Sequence, residues 1–146
     1  MTKLYNILMV FVSESERETF DFAFTFAQSL KGGEVIALDG ELGAGKTVFV
    51  KGLCAALGVT DEVLSPTFTL MQEHKGSKLN VWHYDAYRLS GGEEAYLCGL
   101  ADYFGDKNGV CVIEWASNIE DAFFALNPIR ISIRRTGEYG REIEVK

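Results

Sequence analysis

A three-layer α/β fold on a mostly parallel central sheet is the architecture this sequence predicts, and three observations carry the prediction. Two short apolar runs, Val35-Ile36-Ala37-Leu38 and Val110-Cys111-Val112-Ile113, lack the alternation of a half-exposed strand and match strands buried on both faces. The first run leads directly into a glycine-rich loop, and a helical pattern follows that loop. The last segment alternates instead, at Ile129, Ile131 and Ile133 and again at Ile143 and Val145 around a turn near Gly137, which predicts a C-terminal β-hairpin closing the sheet. At 146 residues the chain makes a single domain, 1–146.

The remaining elements follow in order. The apolar run at 7–12 predicts a short opening strand; it is too short for a signal-peptide core or a membrane span, so a cytoplasmic protein is expected. Ser13-Glu14-Ser15-Glu16 sets a capping serine three positions before Glu16, and Phe20, Ala23, Phe24, Ala27 and Leu30 recur at helical spacing until Gly32 and Gly33. Residues 46–57 read as a helix with Val50, Leu53, Cys54 and Leu57 on one side and Gly58 as its stop. A hairpin is expected from 69–74 and 78–84 around Lys75-Gly76-Ser77, in a register that sets His74 beside Lys78 and His83 beside Thr69. A helical segment spans about 93–103, and the strand after it ends at Glu114 and Trp115.

Composition narrows the function classes. A formal charge of −7 argues against a large direct footprint on RNA or DNA, because affinity for a phosphate backbone comes from clustered Lys and Arg. Cys54, Cys98 and Cys111 are odd in number and scattered among apolar residues, which predicts buried reduced thiols rather than a disulfide framework.

Residues 40–47, GELGAGKT, carry Gly40, Gly45, Lys46 and Thr47 at the spacing of a Walker A loop, so the fold expected is P-loop NTPase-like. Glycines let successive N–H groups converge on phosphate oxygens, and the following helix adds its partial positive charge. Glu41, Leu42, Gly43, Ala44, Gly45, Lys46, Thr47 and Val48 are the candidate phosphate-binding residues, with ATP and Mg²⁺ as the expected ligands. In that pattern Lys46 reaches the β- and γ-phosphates and the Thr47 hydroxyl ligates magnesium.

Magnesium chemistry needs carboxylates near the γ-phosphate, and two sit at strand ends, Asp85 in His-Tyr-Asp-Ala-Tyr-Arg and Glu114 in Val-Ile-Glu-Trp. Four apolar residues ending in an acid favour Glu114 for the metal or its water shell, but either acid fits, and each also fits a solvated strand end. Asp39 ranks last, as a residue that holds the turn. Ser65-Pro66-Thr67-Phe68-Thr69 has the form of a switch in which Pro66 presents the Thr67 hydroxyl, or of a plain turn into a strand. Arg88 suits an ion pair better than a charge-neutralising finger, Trp115 suits the core or a partner surface equally, and the separated histidines argue against zinc.

GELGAGKT at 40–47, SPTFTL at 65–70, HYDAYRL at 83–89, GLADYF at 99–104 and VIEW at 112–115 together closely resemble the bacterial TsaE family, also called YjeE. Order and spacing match from about residue 34 to 115, with Ala116-Ser117 and Gly91-Gly92 departing from the usual residues. The resemblance implies a small ATPase that works with TsaB and TsaD in making N6-threonylcarbamoyladenosine in tRNA, supporting turnover of that assembly and meeting tRNA only through it. Carried over by motif, Lys46 and Thr47 bind phosphate and magnesium, Thr67 lies in the switch, and Asp85 and Glu114 form the acidic pair of hydrolysis. Two other readings share the loop: a small-molecule kinase with Asp85 as base, and a nucleotide-gated binding module in which hydrolysis is incidental.

Overall fold

The computed structural model describes residues 9–64, 66 and 70–146. Its centre is a seven-stranded sheet ordered β1-β7-β6-β2-β5-β4-β3, formed by β1 (Met9–Ser13), β2 (Val35–Gly40), β3 (Met71–His74), β4 (Asn80–Asp85), β5 (Gly109–Glu114), β6 (Ile129–Arg135) and β7 (Arg141–Val145). β6, β2, β5 and β4 pair in parallel, while β7 and β3 run antiparallel to their neighbours. The parallel core expected from the two apolar runs is therefore present, and the C-terminal hairpin adds to its edge.

Strand alternation divides the core into two layers. Ile36, Leu38, Val110, Val112, Ile131 and Ile133 face α1 (Glu16–Ala27) and α2 (Lys46–Ala56), packing on Ala23, Phe49, Val50 and Leu53. Val35, Ala37, Trp82, Tyr84, Cys111 and Ile113 face the other way, onto α3 (Gly92–Leu97) and the 3-10 segments that flank β5. Phe22 and Phe26 of α1 both meet the Phe49 ring, and Phe11 of β1 stacks on Phe22 at 4.6 Å. That cluster fixes α2, and hence the residues at its N-terminus, against the sheet.

Several local expectations are corrected. The cap of α1 is Ser15, not Ser13: Ser15 Oγ accepts from Glu18 N, and Glu18 Oε1 accepts from Glu14 N. Ser13 ends β1 instead, with its hydroxyl buried against Thr19 Oγ1 at 2.8 Å. The 93–103 helix breaks at Gly99, whose φ of 78° lies in the left-handed region, leaving α3 and a separate 3-10 turn at Leu100–Tyr103. Gly92 is needed where it stands, because a Cβ there would meet Asp121 Oδ1 at 2.6 Å.

The β3–β4 hairpin pairs His74 with Val81 and His83 with Gln72, rather than with Lys78 and Thr69. Its connection is longer than the Lys75-Gly76-Ser77 turn because Ser77, Lys78 and Leu79 donate their N–H groups to the last carbonyls of the α2 end, at Gly58 and Leu57. Residue 69, the expected first residue of this hairpin, lies outside the described residues. Cys54 and Cys111 are buried, and burial pushes both thiols up to about 12, which leaves them unreactive. Cys98 is exposed, contrary to the expectation that all three would be buried.

Gly52 is where α1 and α2 approach most closely, since a Cβ there would lie 2.3 Å from Phe20 O and 3.0 Å from Ala23 Cβ. An alanine normally favours a helix interior by about 1 kcal/mol over glycine. Here the clash is with backbone, so Gly52→Ala is expected to destabilise the fold by about 1–3 kcal/mol. Urea denaturation measures this, and a variant more stable than the parent would refute the close helix contact.

Candidate functional site

Parallel pairing brings three strand ends to one edge of the sheet. Leu38 of β2 pairs with Glu114 of β5, and Glu114 pairs with Asp85 of β4, so both candidate acids stand beside the strand that enters the 40–47 loop. Strand parity puts His83, Asp85 and Glu114 on the face that carries α2, whose first residue is Lys46. This is why three separated sequence motifs meet.

Within the loop, Gly43 and Gly45 adopt φ of 82° and 102°, a region that disfavours any residue with a Cβ. Gly40 needs the absence of a side chain for another reason, as a Cβ would lie 2.9 Å from Ile133 O. Gly45 is the N-cap of α2 and supplies no side-chain cap, so the first N–H groups of the helix lack a local acceptor. An uncapped helix start beside a lysine suits an anionic group.

The loop opens on a cavity of about 760 Å³ lined by Leu42, Gly43, Gly45, Lys46, Thr47, Val48, Asp85 and Glu114, together with Tyr87, Trp115, Glu16, Thr19, Tyr139 and Arg141. Glu41 borders a smaller adjoining cavity that it shares with Asp39, Lys46 and Trp115. Ala44 is fully buried under the loop, and its N–H is spent on Glu41 O at 3.0 Å. Thr67 lies outside the described residues, as do Ser65, Phe68 and Thr69 of the same motif. Arg88 is exposed and is not among the described residues lining the cavity.

Glu114 is almost fully buried and has two partners. His83 donates from Nε2 to Glu114 Oε2 at 2.7 Å, and Lys46 Nζ stands 3.6 Å from Oε1. Burial on its own would raise the carboxyl pKa; the His83 hydrogen bond and charge, and then the Lys46 charge, outweigh it and hold the group below the ordinary 4.5. The same Lys46 ammonium lies 5.4 Å from the centre of the Trp115 ring, which meets Tyr87 edge-on at 4.9 Å. Trp115 is half-exposed at the cavity and takes a positive φ of 57°, so the core role weighed for it does not hold.

Asp85 contrasts with Glu114. It is half-buried, one carboxylate oxygen accepts the Tyr87 N–H at 2.9 Å, and it faces the cavity beside Thr47. The two histidines have separate partners, His74 with Asp61 at 3.1 Å and His83 with Glu114. Among the described residues no group of three or more His, Cys, Asp or Glu gathers as a ready metal cage. No helix among the described residues is long and apolar enough to cross a membrane.

Sequence reasoning missed Arg141, Tyr139, Tyr87, Glu16 and Thr19 as cavity residues. Tyr87 lies inside the HYDAYRL motif and was within reach of it; the others arrive from the α1 start and the terminal hairpin, and nothing in their local sequence points to the 40–47 loop.

A parallel sheet with helices on both faces, a glycine loop between β2 and α2, and carboxylates on the neighbouring strand ends define a P-loop NTPase-like protein. More narrowly, the chain belongs to the TsaE family: the family model described as "Threonylcarbamoyl adenosine biosynthesis protein TsaE" matches residues 13–143. It is 42% identical over 126 residues to the tRNA threonylcarbamoyladenosine biosynthesis protein TsaE of Bacillus subtilis, covering 86% of this chain and 77% of that one. The protein of the same name from Treponema pallidum is 38% identical over 135 residues, covering 92% and 97%. The crystal structure of Bacillus subtilis YdiB superposes with a TM-score of 0.78 at 35% identity, covering 95% of this chain and 84% of that one.

The lowered Glu114 pKa sets the sign of a pH effect. A carboxyl that is more acidic folded than unfolded contributes stability that is fully present above pH about 4.5 and is lost as the pH falls through the folded value. Glu114→Gln has no such charge to lose, so its stability should fall less steeply than that of the parent between pH about 5 and 3. Urea denaturation across this range tests the point, and parallel curves would count against it.

Proposed function

We propose that the chain binds ATP with magnesium in this cavity and hydrolyses it in support of tRNA threonylcarbamoyladenosine formation, acting in the cytoplasm with TsaB and TsaD. The observation that carries the reading is the convergence of the 40–47 loop, Lys46, Asp85 and Glu114 on one cavity, in a member of the TsaE family. The names of the relatives supply the pathway. The charge of −7 suits a subunit that leaves tRNA to its partners.

The donor set fits magnesium. It is a hard cation that takes oxygen ligands and is held by one or two protein groups plus phosphates. Thr47 and Asp85 offer a hydroxyl and a carboxylate, both on the cavity, and among the described residues only one Asp85 oxygen accepts a hydrogen bond. Glu114 is a poorer ligand because both of its oxygens already face partners, so the metal assignment moves to Asp85. The ion would neutralise charge building on the phosphates during transfer.

The protein's own groups do the rest. Gly45 and the uncapped start of α2 offer N–H donors to the phosphates, and Lys46 leaves Glu114 for the β- and γ-phosphate oxygens. Release of Lys46 frees Glu114 Oε1, while the His83 bond keeps the carboxylate oriented through Oε2. Glu114 then takes a proton from the water that attacks the γ-phosphorus as the bond to ADP breaks. The Trp115 ring lies against the lysine, and Tyr87 packs edge-on against that ring.

The test is ATP hydrolysis by the purified protein alone and with TsaB and TsaD. Partners should raise the rate, and Lys46→Ala should remove about 100-fold or more of the stimulated rate by taking away a phosphate donor. Glu114→Ala should still bind ATP but hydrolyse it at least about 100-fold more slowly, as expected for loss of a general base. Hydrolysis equal with and without partners would indicate a free-standing enzyme, and phosphate transferred to a metabolite would indicate a kinase.

A further inference from the structure

Arg141, the first residue of β7, makes the longest-range side-chain hydrogen bonds among the described residues. Its Nε donates to Ala44 O at 2.8 Å and its Nη2 to Gly43 O at 3.2 Å. Its Nη1 donates to Gly140 O at 2.7 Å and to Gly137 O at 3.5 Å, so all three nitrogens are engaged by backbone carbonyls. An arginine with four of its five N–H donors on backbone carbonyls acts first on the loop.

The geometry of the peptide unit says how. In a trans peptide the C=O of one residue and the N–H of the next point in opposite directions, and no cis peptide is present among the described residues. Holding the Ala44 carbonyl on the Arg141 side therefore turns the Gly45 N–H away from it, toward the cavity end of α2. The carbonyls held are those of a segment bounded by Gly43 and Gly45, residues whose backbone is otherwise free to turn. Fixing them beforehand removes an ordering cost that a ligand would otherwise bear.

The sheet register supports a purpose for this side chain. Arg135 and Arg141 sit directly opposite each other on β6 and β7, a like-charge pairing that sheets disfavour. Arg135 Nη1 would lie 4.0 Å from a Cβ at Gly43, so both guanidinium groups border the loop of a chain whose net charge is −7.

We propose that Arg141 is a positioning residue for the phosphate-binding loop, pinning the Gly43 and Ala44 carbonyls from the terminal hairpin so that the loop keeps its turn and the Gly45 N–H stays directed toward a polyphosphate. The inference rests on the nucleotide reading above and extends it to a residue that acts through the loop backbone. Loss of charged hydrogen bonds that preorganise the donors should cost about tenfold or more in affinity.

The experiment is calorimetric titration of ATP, ADP and AMP into the full chain, as wild type, Arg141→Met and Arg141→Lys, alongside thermal melting without nucleotide. Arg141→Met should weaken ATP and ADP by a similar factor of about ten or more and AMP by less, with the unliganded melting midpoint nearly unchanged. Arg141→Lys should fall between, because an ammonium lacks the fork that reaches both carbonyls, and it carries the comparison if the Met variant does not fold. Unchanged ATP affinity in the variants overturns the proposal, as does a loss that AMP shares in full or that follows the melting midpoint down. Wild-type protein that fails to bind ATP overturns the nucleotide reading itself, and this inference with it.

Discussion

A carboxylate taken out of water at the end of β5 sets the terms for everything around it. Burying an unpaired ion costs several kcal/mol, so Glu114 has to be met by groups that offset its lost hydration. One of them, His83, arrives because β4 lies parallel to β5 in a register that sets Asp85 opposite Glu114 and keeps His83 on the same face, two residues back. The other, Lys46, arrives because the loop after β2 delivers the start of α2 over that face. Strand register, loop and helix position are thus tied to one buried charge, and only Lys46 can leave it without a strand having to move.

The surroundings of that charge are uneven. On one side the Glu114 carboxylate is held by a short hydrogen bond inside the core; on the other its partner is a flexible side chain lying against the Trp115 ring. Trp115 follows at once in a left-handed backbone conformation, which costs a non-glycine residue about 1–2 kcal/mol. That turn sends the chain into the 3-10 segment at Ala116–Ala122 and leaves the ring half-exposed at the cavity rather than buried beneath the sheet. Local strain and an adaptable ion pair therefore coincide next to the residue assigned to proton transfer.

Much of this was legible in the sequence, for identifiable reasons. Val35-Ile36-Ala37-Leu38 and Val110-Cys111-Val112-Ile113 announced buried parallel strands because neither face of them meets water, and the alternating isoleucines of β6 announced the terminal hairpin. Lys46, Asp85 and Glu114 were found because strand ends and glycine loops have local signatures. What escaped depended on pairing between distant segments. The Ser15 cap, rather than Ser13, follows from β1 running on to Ser13 to pair with Arg141. The His74 and His83 register was set by bonds to the end of α2, and the break at Gly99 by a backbone angle that helical periodicity does not encode. Arg141 was invisible for the same reason, since its loop partners Gly43 and Ala44 lie far from it in the sequence.

The edge of the sheet bears on how the molecule is made. The only sheet neighbour of β1 among the described residues is β7, so Met9–Ser13 find their hydrogen-bonding partner in Arg141–Val145, made after every other strand of the sheet. During synthesis α1, α2 and the parallel strands can gather first, while β1 waits with Phe11 on Phe22 and Ser13 on Thr19 to anchor it. Closing a loop of this length carries an entropic cost that grows only slowly with length, so the delay comes from the order of translation rather than from a steep barrier. Because Arg141 belongs to β7, the loop would acquire its clamp only after the six strands that precede β7 have been made.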